Sequence, residues 1–311
     1  MYMPDWQVIN DPFVMLVVLL LVPASCWWLG RARFATRLNR GVAVLSVGLY
    51  ALFAMFVYPW VMFTIHLRWL PLLAWLAAST ITLRRLLAPA AQPNRRTRRR
   101  RFALIICAGV MLLIDANLLK GSLPPARHIE LAFPFKHGAY TILQGGSSSW
   151  INFHFRGETE SRFGLDIVQV DNLGRRADGL LPQHLDAYHT YRDEVYSPCS
   201  GRVMAVVDGW PDSPLSSYDA DEPGGNQVAI ECGGAVVWLQ HLLNGSIEVA
   251  VGQTVQAGDA LAQVGNSGKS SEPHLHIHAQ AMEREGMGAS LAITFSSRYL
   301  TRNMVYRVSV H

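Results

Sequence analysis

The chain has 311 residues, of which 50% are hydrophobic and only 16% are charged. Its formal net charge of +4 conceals two regions of opposite sign, because residues 1–120 carry +11 and residues 121–311 carry −7. The basic residues of the first region lie between apolar runs, so they indicate membrane topology and give no support to a nucleic-acid partner.

Four apolar runs occupy the first region, at 13–30, 41–63, 69–83 and 102–119. Crossing the hydrocarbon of a bilayer takes about 20 apolar residues. Residues 1–121 therefore predict an N-terminal α-helical membrane anchor of about four transmembrane helices. Arginines cluster after the first run and again in "LRRLLAPAAQPNRRTRRRR", residues 83–101. Because short Arg-rich loops stay cytoplasmic, four crossings would put everything after residue 120 outside the cytoplasm.

Residues 122–311 predict a C-terminal all-β domain. Short runs rich in Val, Ile, Tyr and Phe alternate with turn residues, as in "AYTILQ", "FGLDIVQV", "NQVAIEC" and "AVVWLQHL". Residues 172–195 and 209–225 predict long loops, the first with a short helix in "LPQHLDAYHTY". Cys199 and Cys232 lie in this region, where either a disulfide or two free thiols is compatible with the sequence.

The stretch "SEPHLHIHAQ" carries histidines at 274, 276 and 278. Alternate residues of a β-strand share a face, and Pro273 is typical of the start of a strand. Imidazoles grouped on one face predict metal binding or catalysis, and a catalytic zinc site takes three protein ligands and leaves one position open.

Three further side chains are candidates for the same chemistry. Asp166 lies inside the apolar strand "RFGLDIVQV", and a buried carboxylate needs a partner or a metal. His241 ends the apolar strand "VVWLQHL", and His154 lies in "WINFHF", where we expect Trp150, Asn152 and His154 to share one strand face.

Residues 226–242 and 251–279, "NQVAIECGGAVVWLQHL" and "VGQTVQAGDALAQVGNSGKSSEPHLHIHA", resemble the core of the lysostaphin-type zinc endopeptidases, which cut peptidoglycan cross-links. The resemblance extends over about residues 137–280 and implies the duplicated hybrid motif fold. By its motifs, His276 would bind Zn²⁺, while His241 and His274 would act on the attacking water and the scissile carbonyl.

The remaining two ligands of that family come from an H-x-G-x-D strand, and here the sequence departs. "RFGLD" keeps Gly164 and Asp166 but has Arg162 in place of the His, and a guanidinium has no lone pair to offer a metal. Either the site has lost its metal or another His has replaced the ligand. His154 is the candidate, because the polar loop "RGETES" could return it to Asp166. Membrane-anchored relatives with a similar N-x-H…R-x-x-L-D pattern favour replacement.

The resemblance thus implies a zinc metalloendopeptidase, and the apolar runs and arginine clusters predict that it is anchored in the bacterial inner membrane with its C-terminal domain in the periplasm or outside the cell. Zinc would be held by His154, Asp166 and His276, and the substrate would be a peptidoglycan peptide. We expect His278 to lie on the strand face or behind the ligands.

Two other functions are compatible with parts of the sequence. Arg162 leaves open a catalytically inactive domain that binds cell wall or activates another hydrolase. The run "VGQTVQAGDAL" also resembles the turn of biotinyl and lipoyl carriers, but Lys269 lacks the flanking motif of such carriers and the histidines would be unexplained.

Overall fold

The computed structural model describes residues 12–34, 36–85, 95–156, 160–215, 221–283 and 286–308. The chain divides into two compact units. The first comprises Met1–Tyr58 with Leu67–Leu119, and the second comprises Pro59–His66 with Lys120–His311.

The first unit is helical. Its described residues form α1 (Pro12–Arg31), α2 (Arg37–Val57), α3 (Leu70–Arg84) and most of α4 (Arg95–Gly121). Thr36 caps α2, since its side chain accepts a hydrogen bond from the backbone N–H of Asn39. Gly48 of α2 provides the space for Trp75 of α3, whose indole Nε1 donates to the carbonyl of Val44 at 2.9 Å.

The prediction of four membrane spans is only partly met. Among the described residues, two helices are long and apolar enough to cross a membrane, at Arg37–Val57 and Arg98–Gly121. α3 has 15 residues. At 1.5 Å per residue it measures about 22 Å, which is shorter than the hydrocarbon core of about 30 Å. In α1, the side chains of residues 12–19 lie outside the described residues.

The second unit is mostly β, as the sequence predicts. Its described residues form thirteen strands: β1 (His128–Leu131), β2 (Ala139–Gln144), β3 (Leu165–Val170), β4 (Glu194–Tyr196), β5 (Gly201–Val207), β6 (Asn226–Cys232), β7 (Ala235–Leu242), β8 (Thr254–Val255), β9 (Ala260–Gln263), β10 (Leu275–Glu283), β11 (Gly286–Phe295), β12 (Arg298–Tyr299) and β13 (Val305–Arg307). Eight of them lie side by side in the order β13-β2-β3-β10-β7-β6-β5-β8. β11 pairs with β1, β10 and β12, and β4 pairs with β9 in a separate sheet.

β10 lies in the middle of the sheet and determines where the candidate site forms. Leu275 and Ile277 enter the hydrophobic core, which leaves His276 and His278 on the opposite, also buried, face. His276 pairs in register with Asp166 of β3 on one side and with Gln240 of β7 on the other. The alternation of one strand thus sets its histidines beside the buried carboxylate.

The segment before β3 differs from the prediction. "WINFHF" is not a strand: residues 149–151 form a turn, and His154–Arg156 form a 3-10 turn. The Asn152 side chain bonds to the backbone of Gly146 and of Gly164, and such local bonds compete with strand pairing. The loop that we expected to follow it lies partly outside the described residues, which omit 157–159.

Several smaller expectations can be compared with the structure. The predicted short helix in residues 181–191 is a 3-10 turn at Leu185–Ala187. The predicted loop 209–225 lies partly outside the described residues, which omit 216–220. Cys199 and Cys232 form a disulfide, which settles the alternative that the sequence left open.

Residues 59–66, which connect α2 to α3, pack in the β unit. Val61 is buried with Ala139 and Val170, and the backbone N–H of Ile65 donates to the carbonyl of Gly174 at 2.9 Å. This short connection is therefore part of the β unit although it lies between two helices in the sequence.

Candidate metal centre

Asp166 is the centre of the site, because three histidines converge on its carboxylate. Its Oδ1 lies 2.8 Å from Nδ1 of His276, 3.0 Å from Nε2 of His154 and 3.7 Å from Nε2 of His274. Burial raises the pKa of Asp166, but the charges of His154 and His274 and the hydrogen bonds from His154 and His276 together lower it well below its usual range. The carboxylate is thus anionic at neutral pH.

Three side chains of this cluster have the arrangement of a metal site. One ligand atom each from His154, Asp166 and His276 lie within 4.8 Å of one another. Two imidazole nitrogens and one carboxylate oxygen suit zinc, and three protein ligands leave a position open, as in catalytic zinc sites. The donor set therefore fits the ion that the sequence predicts.

His154 reaches Asp166 from an irregular loop and not from a neighbouring strand. Its backbone N–H donates to Oδ1 of Asn152 at 3.1 Å. The Asn152 amide Nδ2 donates to the carbonyls of Gly146 and Gly164, at 3.0 and 3.1 Å. Asn152 is fully buried, and its side chain connects the backbone of His154 by hydrogen bonds to Gly146 on one side of the loop and to Gly164 on the other.

A second anchor of this loop comes from the C-terminal part of the chain. The backbone N–H of Phe153 donates to Oε1 of Gln144 at 3.1 Å, and the buried guanidinium of Arg302 donates to the same oxygen at 2.7 Å. Gln144 in turn pairs with Asp166 across β2 and β3. Sequence reasoning missed Gln144 and Arg302, since nothing in their local sequence indicates a contact between residues 158 positions apart.

Arg162 is not part of the cluster. Its side chain is exposed, and its guanidinium carbon lies 4.0 Å from the ring centroid of Phe155. The neighbouring Gly164 does approach the site, because a Cβ placed there would lie only 2.7 Å from Cε1 of His276. The backbone at Gly164 therefore lies close to the candidate metal centre, but Arg162 supplies no ligand to it.

His241 and His274 face each other beside the ligand cluster. Their ring centroids are 4.8 Å apart, and the ring of His241 is 6.0 Å from that of His276. Nδ1 of His241 lies 2.9 Å from the carbonyl of Ser267, and Nδ1 of His274 lies 2.8 Å from the carbonyl of Glu272. A carbonyl only accepts, so each Nδ1 carries a proton, and in the neutral form of each ring Nε2 keeps its lone pair.

His241 also has an unusual backbone conformation. Its φ is +63°, in the left-handed region that side-chain-bearing residues rarely adopt. The strain is offset by two bonds, because its N–H donates to the carbonyl of Gly224 and its carbonyl accepts from the N–H of Gly265. Such strain is often found at functional sites.

His278 lies directly behind the predicted ligand His276. Its Nδ1 is 3.1 Å from Nε2 of His276, and the His278 ring is stacked against Trp238 with an interplanar angle of 12°. If Nδ1 of His276 faces a metal, its Nε2–H can donate to Nδ1 of His278. The arrangement has the form of a ligand and its supporting partner.

Burial determines the charge state of the sheet-borne histidines. Burial, assisted by the charge of His154, lowers the pKa of His276 to about 4. Burial and the charges of neighbouring histidines lower the pKa of both His241 and His278 well below the usual range. All three imidazoles are therefore neutral at pH 7, which is the form that binds metal or accepts a proton.

Comparison with known proteins identifies part of this unit. Residues 184–286 match the model of peptidase family M23. The matched residues include His241, His274 and His276, whereas His154 and Asp166 lie upstream of them. One third of the chain is matched, and it contains the histidine-bearing strands of the site.

Solved structures of peptidases are similar to the chain at low identity. Lysostaphin from Staphylococcus simulans is 18% identical, with 50% of this chain and 52% of that chain covered and a TM-score of 0.29. A zinc-containing peptidase from Vibrio cholerae is 19% identical, with 60% and 40% covered and a TM-score of 0.29.

The chain spans 40% of the length of that peptidase, and likewise 40% of a solution structure of lysostaphin, which is 20% identical and has a TM-score of 0.26. The family match places a lysostaphin-like domain of peptidase family M23 at residues 184–286, within the β unit.

Proposed function

We propose that this protein is a membrane-anchored zinc metallopeptidase that hydrolyses peptide cross-links of peptidoglycan in the periplasm or outside the cell. One observation carries the proposal: His154, Asp166 and His276 offer three ligand atoms within 4.8 Å, next to the pair His241 and His274. Peptidases of family M23 are typically zinc endopeptidases that hydrolyse peptidoglycan, which supports the substrate class.

The ligand set supports zinc as the cofactor. His154, Asp166 and His276 would hold the ion, and the Vibrio cholerae structure similar to this chain is described as a zinc-containing peptidase. Zinc supplies Lewis acidity, which polarises a carbonyl group and lowers the pKa of water to about 7.

His241 and His274 supply the proton-transfer groups. Nδ1 of each donates to a backbone carbonyl, so Nε2 of the neutral ring is the nitrogen that can accept a proton. Because the pKa of His241 is low, its Nε2 is an acceptor at neutral pH, and once protonated it becomes a hydrogen-bond donor to the developing oxyanion. The 4.8 Å between the two rings allows both to reach one substrate amide.

The helical region supports anchoring in a membrane. Two of its helices are long and apolar enough to cross one, and large apolar side chains such as Leu73 and Leu113 are exposed, at 57% and 73%. We propose residues 1–121 as the anchor and residues 122–311 as the extracytoplasmic peptidase domain. The packing of residues 59–66 in the β unit agrees with this topology, in which the connection between α2 and α3 is extracytoplasmic.

The decisive test is zinc content and wall hydrolysis by the full-length protein purified in detergent. We expect close to one zinc per chain and clearing of purified peptidoglycan in a zymogram. His276→Ala should abolish both. His137→Ala is the matched control, because His137 is exposed on the β unit, and it should preserve both. Equal clearing by the parent and His276→Ala would refute hydrolysis at this site.

Two further variants separate the roles within the site. His154→Ala should lose zinc, and full zinc in that variant would remove His154 from the ligand set. His241→Ala should keep its zinc while the rate falls by about 10²- to 10³-fold, the effect of losing one transition-state donor. A parent protein that binds no zinc even after reconstitution would favour the inactive cell-wall-binding alternative.

A further inference from the structure

We propose that Arg156 and Arg162 form a carboxylate-binding subsite beside the metal centre, so that the protein prefers peptides with a free carboxylate close to the scissile amide. This inference rests on the proposed peptidase function and extends it to substrate selection. It also assigns a role to Arg162, the residue that stands where a ligand is expected.

Both arginines adjoin the candidate ligand His154. Arg156 ends the 3-10 turn that begins at His154. Arg162 packs on Phe155, the residue that follows His154, and lies two residues before Gly164, which approaches the ring of His276. Both guanidinium groups therefore lie on the segment that carries the third candidate ligand, and we call the edge of the site formed by this segment the rim.

Aromatic rings support both guanidinium groups. The guanidinium carbon of Arg162 lies 4.0 Å from the ring centroid of Phe155, and that of Arg156 lies 5.4 Å from the ring centroid of Phe153. Nε of Arg156 also donates to the carbonyl of Ser149 at 2.9 Å. Contact with a ring leaves the N–H groups at the edge of a guanidinium available, and these match the two oxygens of a carboxylate.

The sequence between the two arginines contains Glu158 and Glu160, but no ion pair is found for either arginine within the described residues, which omit 157–159. Both arginine side chains are exposed. A third guanidinium, the buried one of Arg302, lies 5.3 Å from the same Phe153 ring. Burial lowers the pKa of Arg302 to about 10, with the charge of Asp166 opposing and that of Arg156 reinforcing the shift.

These contacts give the rim a physical reason to bind an anion. Exposed cations close to a site for a divalent cation repel that ion, and a substrate carboxylate between them would relieve the repulsion. Peptide cross-links whose residues carry free carboxylates provide such a group, whereas their amidated counterparts do not. A pair of charge-assisted hydrogen bonds discriminates between these two by about tenfold or more.

The test uses two synthetic cross-linked peptides that differ only in whether the carboxylates flanking the scissile amide are free or amidated. The zinc-loaded full-length protein should hydrolyse the free-carboxylate peptide with a kcat/KM at least about tenfold higher. Arg162→Gln and Arg156→Gln should each bring this ratio towards one. Arg162→Lys should restore it only in part, because an ammonium retains the charge but not the planar fork.

Arg298→Gln is the matched control. Arg298 is also an exposed arginine near an aromatic ring, 5.4 Å from that of Tyr306, but it lies on β12, outside the site. This variant should keep the parent's ratio. A parent that treats both peptides alike, or Arg162→Gln and Arg156→Gln proteins that keep the parent's preference, would overturn the inference.

A binding measurement tests the carboxylate preference separately from the proposed peptidase activity. Labelled forms of both peptides are titrated with protein carrying His241→Ala, which slows turnover, and fluorescence anisotropy gives their affinities with and without Arg162→Gln. If the parent cleaves neither peptide, the peptidase proposal fails. The ratio of affinities still decides whether the arginines select a carboxylate.

Discussion

The candidate metal centre combines two kinds of structure. Asp166 and His276 belong to adjacent strands, β3 and β10, and are paired by the register of the sheet. His154 lies in an irregular loop and reaches Asp166 through hydrogen bonds made by Asn152 and Gln144. One part of the site is fixed by the hydrophobic core, and the other is fixed by a few buried polar contacts.

This difference affects how each part tolerates substitution. A sheet position is determined by many neighbours on both sides, so the loss of one partner leaves the backbone of His276 in place. The loop depends on buried side chains whose hydrogen bonds cannot be replaced by water. Removing one of them leaves buried polar groups unsatisfied at a cost of about 1–3 kcal/mol. We therefore expect ligand loss to be equally severe in both parts, but loss of a supporting residue to be more severe in the loop.

The largest predicted effect is the loss of a ligand from either part. His276→Ala and His154→Ala should each abolish stoichiometric zinc binding. Removal of a residue that supports a metal ligand typically lowers activity by about 10- to 100-fold, and each of these two variants should lower it further. Zinc content by elemental analysis and peptide hydrolysis check this prediction.

A different result for the two variants would change the description of the site. If His276→Ala loses zinc while His154→Ala retains it in full, the loop supplies no ligand. Asp166 and His276 would then be the two ligands that remain of the proposed three. Circular dichroism of both variants is the necessary control for folding.

The positions of the site residues in the sheet could be predicted from the sequence, whereas those in the loop could be predicted only in part. Alternation in "HLHIHAQ" predicted that His276 and His278 share a face, and an isolated Asp in an apolar run indicated that Asp166 needs a partner. The pairing of His154 with Asp166 was anticipated, but its conformation was not. A strand was expected where Asn152 bonds locally, and the contact of Gln144 with Arg302 depends on chain closure over 158 residues.

The helical unit was predictable in outline and less so in detail. Apolar runs located four helices, yet only two of them, within the described residues, have the length and hydropathy of a membrane span. The third run, 69–83, has 15 residues, as does α3 (Leu70–Arg84), so the sequence located this helix to within one residue at each end, but the helix is short for a membrane span.

Asn152→Ala tests the loop and should have the next largest effect. It removes three hydrogen bonds, two donated by its Nδ2 and one accepted from the N–H of His154. Zinc affinity should fall towards the upper end of the about 10- to 100-fold range for supporting residues. Competition with a zinc chelator measures it.

Asn152→Asp is the informative companion variant. It retains the oxygen that accepts from His154 but places a buried carboxylate oxygen against the carbonyls of Gly146 and Gly164, so its affinity should be no higher than that of Asn152→Ala. An unchanged affinity in Asn152→Ala would show that the loop is held mainly by other contacts.

His278→Leu tests support in the sheet and should have a smaller effect on zinc affinity than Asn152→Ala. It removes the acceptor that lies 3.1 Å from Nε2 of His276, while β3 and β7 still hold the strand. We expect a loss near about tenfold, the lower end of the same range. His278→Asn offers an acceptor again and should recover part of the affinity. If zinc affinity falls further in His278→Leu than in Asn152→Ala, the sheet depends on its supporting residue more than the loop does, contrary to this prediction.

The smallest predicted effect is the pH dependence that the sheet-borne histidines give to the stability of the metal-free protein. Burial lowers the pKa of His276 to about 4, whereas an unfolded histidine titrates near about 6.5. Between these values the unfolded chain binds the proton and the folded chain does not, so stability rises with pH through this window and is lost as pH falls. The pKa of Asp166 is lowered below that of an unfolded carboxyl group, so its own contribution is lost only at lower pH. After zinc removal, the melting temperature should therefore be several degrees lower at pH 5 than at pH 7.

The difference should shrink in His276→Gln and persist in His137→Ala. A melting temperature that is independent of pH in this window would mean that the buried imidazoles accept protons without disturbing the fold.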